Sequence, residues 1–256
     1  MEKLINKVSK WFSSIFCCCE KPVDEPVVEE PVIEEPVDEH NEIPIEEPME
    51  THKLIILLDN GHASSTPGKR SPKVEGEEQF YEYEFTRDIV RRIAEKLDKL
   101  GIKYEIIVPE VDEDIPLSKR AERANAFCLQ YGKSNCIFIS VHANAAGNGS
   151  QWMNARGWSC YTSVGETKSD KYAEIFMKKA ADVLTPLGQK VRRYSSNKYS
   201  WEENFTVLVK TVCPALLTEN LFYDNKADLA FLRTEEGREA IAQIHVNAIL
   251  EIEEGL

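Results

Sequence analysis

The chain has 256 residues, 42% of them hydrophobic, and a formal net charge of -13. The acidity is local: residues 20–50 hold 13 acidic residues against Lys21 alone, a net of -12, whereas residues 51–256 hold 30 acidic and 27 basic residues, a net of -3. A near-neutral body gives no basis for nucleic-acid binding and suits a substrate that is neither polyanion nor polycation, and no stretch approaches the ~18 apolar residues of a spanning helix.

At the front, Leu4, Ile5, Val8, Trp11, Phe12, Ile15 and Phe16 fall on one helical stripe, with Lys3, Lys7 and Lys10 among the residues of the other face. This amphipathic helix over residues 1–19 suits attachment to a membrane surface, strengthened by acylation of Cys17, Cys18 or Cys19. A partner-docking helix or an export signal would carry the same stripe, although small residues for signal cleavage are missing. Residues 20–50 repeat Glu-Pro-Val and hold six of the twelve prolines. Extended proline geometry and mutual repulsion make this segment a stiff, disordered acidic linker.

From Lys53 onward strands and helices alternate, so residues 51–256 are expected to form one catalytic domain. Strands are predicted at Leu54–Leu58, Tyr104–Val108, Cys136–His142, Trp158–Thr162 and Ala215–Thr218. Helices are predicted at Glu82–Leu100, where Phe85, Ile89, Ile93 and Leu97 share a face, and at Pro116–Tyr131, Lys168–Leu184 and Thr234–Glu251, the last with Thr234 as N-cap. That alternation implies an α/β fold: a mostly parallel twisted sheet with helices on both faces, its site beyond the carboxyl ends of the strands. Of the seven cysteines, Cys128, Cys136, Cys160 and Cys213 are scattered without metal-type pair spacing and read as buried thiols.

Three predicted strands end in polar, reactive groups. The first runs into Asp59-Asn60-Gly61-His62, the third into Ser140-Val141-His142-Ala143-Asn144, and the last into Thr218-Glu219-Asn220. Two histidines and a carboxylate gathered at one sheet edge supply the nitrogen and oxygen ligands zinc prefers, with a position left for water. Each alone is more often an ordinary polar residue; their combination carries the reading.

Those motifs, with the helix start Glu82-Tyr83-Glu84-Phe85-Thr86-Arg87-Asp88-Ile89 and the run Pro214–Phe222, resemble the zinc-dependent N-acetylmuramoyl-L-alanine amidases of bacterial cell-separation enzymes and phage endolysins. The resemblance spans residues 53–250, with a variant loop: the family commonly has proline where Asn60 stands and a glycine pair where Ala63 and Ser64 stand. It implies that His62, Glu82 and His142 bind one zinc and that Glu219 is the catalytic carboxylate. Glu84 is the alternative to Glu82, and Glu77 and Glu78 are candidates by type alone.

By the same resemblance the reaction is hydrolysis of the amide between N-acetylmuramic acid and L-alanine in peptidoglycan, by a phage lysin or a wall-remodelling enzyme made in the cytoplasm and acting at the wall. A zinc peptidase acting within the stem peptide would need much the same ligands. A non-catalytic wall-binding module would not need His62, His142 and Glu219 together. Glu219 also has a plainer alternative, pairing with Arg192, Arg193 or Lys198.

Overall fold

The computed structural model describes residues 53–255. The expectations for residues 1–19 and 20–50 lie outside the described residues. In chain order the elements are β1 (Ile55–Asn60), α1 (Glu82–Leu100), β2 (Lys103–Ile106), α2 (Leu117–Tyr131), β3 (Cys136–Asn144) and β4 (Ser159–Thr162). There follow α3 (Lys168–Leu184), β5 (Trp201–Glu202), α4 (Thr206–Lys210), β6 (Ala215–Phe222), α5 (Lys226–Leu232) and α6 (Glu235–Glu254).

The strands form one sheet in the order β2-β1-β3-β6-β4-β5. β2, β1, β3 and β6 run parallel, while β4 pairs antiparallel with β6 and parallel with β5. Side chains alternate between the faces with the period of two that a strand requires. Ile56, Leu58, Ile137, Ile139 and Leu216 join a core with Phe85 and Ile89 of α1, Phe176 of α3 and Ile241 of α6. Leu57, Phe138, Ala215 and Leu217 pack on the other face with Ala124 and Cys128 of α2 and Val207 of α4. Both faces are covered, so the central strands read as apolar runs.

Local chemistry sets the helix limits. Phe85, Ile89, Ile93 and Leu97 of α1 are buried at four-residue spacing; burying each contributes about 1.5–3 kcal/mol. Gly101, at φ 71°, ends α1 in the left-handed conformation that glycine adopts without a Cβ clash. At the start of α3, Thr167 and Asp170 form a reciprocal capping box. The Thr234 hydroxyl accepts from Gly237 N at 2.9 Å and starts α6.

The differences from the sequence reading are mostly in short or polar segments. β5 has two residues, α4 five and α5 seven, too few to show a period. β6 runs on to Phe222, four residues beyond the predicted end, because Glu219 and Asn220 interrupt its apolar pattern while its backbone stays in the sheet.

Candidate metal centre

β1, β3 and β6 are neighbours, so the polar groups at their carboxyl ends converge. His142 lies on β3, directly opposite Glu219 of β6 in the register. Just beyond, the pairing slips: Asn144 stands opposite Phe222, and Leu221 takes a φ of 67°. Such a bulge bends the strand and re-aims its side chains, a device common beside active sites.

His62 follows β1 with a φ of 62°, a left-handed conformation that costs a non-glycine residue of order 1 kcal/mol or more. Its surroundings hold it there. Arg87 Nη1 donates to His62 O at 2.9 Å, Thr86 Oγ1 donates to Gly61 O at 2.9 Å, and Gly61 N donates to Val141 O at 3.0 Å. Gly61 must be glycine for a separate reason. A Cβ there would stand 2.5 Å from the imidazole of His142.

Glu82 is the first residue of α1, where a carboxylate is favoured by the helix dipole. It is 1% exposed and reaches both imidazoles: Oε1 lies 3.1 Å from His142 Nδ1, and Oε2 lies 3.4 Å from His62 Nε2. Oε1 also accepts from Ala143 N at 3.1 Å, while Oε2 is buried without a hydrogen-bond partner. One ligand atom from each of His62, Glu82 and His142 can be chosen so that all lie within 4.8 Å of one another. Glu84 is exposed and accepts from Tyr83 Oη at 2.9 Å, outside this group. Glu77 pairs with Arg233.

Burial pushes the His62 pKa down to about 3 and that of His142 to about 4, despite nearby carboxylates that pull the other way. Both imidazoles are therefore neutral at physiological pH, the form that ligates a metal. Burial pushes Glu82 upward, although His62, Lys69 and the Ala143 amide oppose it. A buried carboxyl with an unpartnered oxygen, facing two neutral imidazoles, is costly on its own, and a cation held among the three would offset that cost. The donor set, one oxygen and two nitrogens, fits zinc.

Glu219 is half-buried as a residue, its Oε2 is buried and unpartnered, and its pKa is raised well above the usual carboxyl range by burial and then by the Glu82 charge. None of the three cations considered as partners forms a salt bridge with it. Arg192 lies over the Trp201 and Phe222 rings, Arg193 over Tyr199, and Lys198 pairs with Glu202.

Two clefts meet at this edge. One, of about 530 Å³, has apolar walls from Ile115, Leu117, Phe205, Val207 and Leu217. The other, of about 290 Å³, is lined by polar groups including Asn144 and Asn148. Beneath the first, Asp59 accepts from Arg120 Nη1 at 2.9 Å and Ser140 Oγ at 2.6 Å, tying β1, α2 and β3 together. Sequence reasoning assigned no role to Arg87, Asp59 or Arg120, since an arginine on a helix reads as surface. The signal for Arg120 was its place on the otherwise apolar line of Ala124 and Cys128.

Fold and cluster together define an α/β protein with a side-chain cluster able to hold a metal at the carboxyl edge of a mostly parallel sheet. Residues 56–251 match the family described as N-acetylmuramoyl-L-alanine amidase, and the chain belongs to that family, which is generally zinc-dependent. It is 28% identical over 204 residues to an endolysin of Bacillus phage SPP1, the match covering 77% of this chain and 65% of that protein. It is 30% identical over 198 residues to the N-acetylmuramoyl-L-alanine amidase CwlM of Bacillus licheniformis, covering 76% and 66% respectively. The chain thus spans about two thirds of the length of these curated relatives. The catalytic domain of the amidase CwlV from Bacillus (Paenibacillus) polymyxa var. colistinus superposes with a TM-score of 0.63 at 21% identity, covering 78% of this chain and 98% of that one. An N-acetylmuramoyl-L-alanine amidase from Clostridium difficile 630 gives 0.63 at 23%, covering 78% and 97%. At these identities the superpositions establish the shared fold.

Proposed function

We propose that the chain hydrolyses the amide joining the lactyl group of N-acetylmuramic acid to the L-alanine of the stem peptide in peptidoglycan. The observation that carries this reading is the meeting of His62, Glu82 and His142 within 4.8 Å, with Glu219 opposite His142 in the sheet, in a member of this amidase family. His62 Nε2, a Glu82 oxygen and His142 Nδ1 would hold one zinc. When bound, zinc supplies Lewis acidity, which polarises a carbonyl and acidifies water at neutral pH.

The chain's own groups do the rest. Arg87 and Thr86 fix the backbone that carries His62, and Gly61 leaves room for the His142 ring. The Glu219 carboxylate takes a proton from the attacking water and passes it to the departing nitrogen, which would otherwise leave as an amide anion. Its raised pKa suits both transfers, since an ordinary carboxylate is a weaker base. The two clefts give the sugar and peptide sides of the scissile bond separate walls, meeting at His142 and Glu219.

On the sequence alone, we also propose that residues 1–19 hold the chain at a membrane surface and that residues 20–50 act as the spacer to the wall. Among the described residues, no helix is long and apolar enough to cross a membrane.

Metal dependence tests the reading. The purified full chain should carry about one zinc, lose wall hydrolysis after chelation and recover it when zinc is returned. Full hydrolysis by a metal-free preparation would contradict the assignment of His62, Glu82 and His142.

A further inference from the structure

Among the described residues, three line both clefts: His142, Glu219 and Lys69. The first two already have roles. Lys69 is partly buried, and its ammonium has neither a hydrogen-bond acceptor nor a salt-bridge partner among the described residues. Most other partly buried cations are tied: Arg92 to Asp88, Lys96 to Glu239, Arg123 to Glu110 and Arg156 to Asp228. An unpaired ammonium at the meeting point of two clefts is therefore a distinctive feature.

Its position is built. Glu82 N donates to Lys69 O at 3.0 Å, so the loop is fastened to the residue that begins α1. Arg70 then bridges to Tyr81, and Ser71 N donates to Phe80 O at 2.9 Å. On the far side the loop is packed against Gly149, where a Cβ would lie 2.4 Å from Arg70 O. The charge so placed acts on His62, Glu82, His142 and Glu219 alike.

With neutral imidazoles, two carboxylates and one divalent cation, the metal position would be formally balanced, and Asp59 and Asp114 of the first cleft are both paired with Arg120. The unpaired Lys69 ammonium is left to meet negative charge that develops on the substrate. The geometry points to Lys69 as a further catalytic residue, whose ammonium donates a hydrogen bond to the scissile carbonyl oxygen as the amide is attacked.

This inference rests on the amidase reading. Water oxygen bonds to the carbonyl carbon and the carbon–nitrogen bond breaks. Glu219 carries water's proton to the nitrogen. Lys69 keeps all its protons and stabilises the oxygen while it bears the electron pair of the former double bond. Preorganised donors of this kind matter most in a cleft that excludes water.

The test uses the full chain, zinc-loaded, on a soluble muramyl peptide. Lys69→Met should lower kcat by about 10²-fold, the scale of one lost oxyanion donor, with KM changed by less than about threefold. Its melting temperature should match wild type, and Lys69→Arg should recover at least about tenfold of the loss, since a guanidinium also donates.

A second readout needs no turnover. Removing a positive charge beside the metal should tighten zinc binding by about threefold or more in competition with a chromophoric chelator. Near-normal kcat in Lys69→Met, or a raised KM with kcat intact, would overturn the proposal. So would weaker zinc binding with a lower melting temperature, the mark of a structural role. If the wild-type chain binds zinc but leaves the amide intact, the amidase reading itself fails and this proposal with it.

Discussion

Glu82 and Glu219 are both carboxyls at the sheet edge, each with a buried and unpartnered Oε2, and what separates them is their other contacts. Glu82 stands between two imidazoles and accepts a backbone N–H, whereas Glu219 is half-buried, lies opposite His142 in the strand register and has no cation paired to it among the described residues. Replacing Glu219 by Gln keeps the size and removes the base. Glu219→Gln should fold, keep its zinc and bind wall fragments, while hydrolysis falls by at least ~10²-fold. Zinc content, melting temperature and stem-peptide release are measured on one preparation; a stable, zinc-loaded variant with near-normal turnover would remove the catalytic role.

The meeting of His62, His142 and Glu219 at one sheet edge was legible because each stood at the end of an apolar run. Glu82 was harder, since Glu77, Glu78 and Glu84 lie close by in the sequence, and only the direction of α1 separates them. Arg87, Arg120 and Lys69 were not legible: their roles come from which carbonyl, carboxylate or cleft they meet, and spacing does not encode that.

At the scale of elements, β6 separates two kinds of chemistry. Glu219 joins the metal edge, while Thr218 and Asn220 join a buried polar chain. Trp158 Nε1 donates to Asn220 Oδ1 at 2.6 Å, and Asn220 Nδ2 donates to His142 O at 2.8 Å. On the α6 side, His245 Nδ1 donates to Ile241 O at 2.8 Å and Nε2 accepts from Thr218 Oγ1 at 3.0 Å. That arrangement needs a neutral ring, and burial lowers the His245 pKa to about 4, against about 6.5 for an unfolded histidine.

Between those values the unfolded chain binds more protons than the folded one. The contribution of His245 to stability is therefore complete above about pH 6.5 and declines as pH falls toward 4. In thermal melts across that window, His245→Gln should lose less stability on acidification than wild type. Identical pH slopes for the two proteins would show that His245 is not held neutral. The sequence contained α6 and its Thr234 cap, but not this histidine's part in it, because a lone histidine on an apolar face carries no mark of its partner.

For the whole molecule, the uneven charge of the sequence supports the proposed division of labour. Residues 51–256 are near neutral and contain both cores, while residues 20–50 hold a net of -12 and a sequence with no core-forming pattern. Deletion of residues 1–50 should therefore leave activity on a soluble substrate intact. The peptide of residues 1–19 should bind anionic liposomes in a salt-sensitive way, through its apolar stripe and three lysines. Loss of soluble-substrate activity on deletion would show that the front of the chain contributes to the catalytic body. The alternation of strands and helices made the parallel sheet legible in advance. The strand β4 was expected, but its antiparallel direction and the two-residue β5 were not, since these depend on a long connection and not on local pattern.

The central claim concerns which bond is cut, and mass spectrometry of the products from purified peptidoglycan tests it most directly. The account predicts intact stem peptides with a new L-alanine amino terminus, together with glycan whose N-acetylmuramic acid carries a free lactyl carboxylate. Cleavage between amino acids within the stem would contradict it and make the protein a peptidase, and binding without any product would leave a wall-binding module.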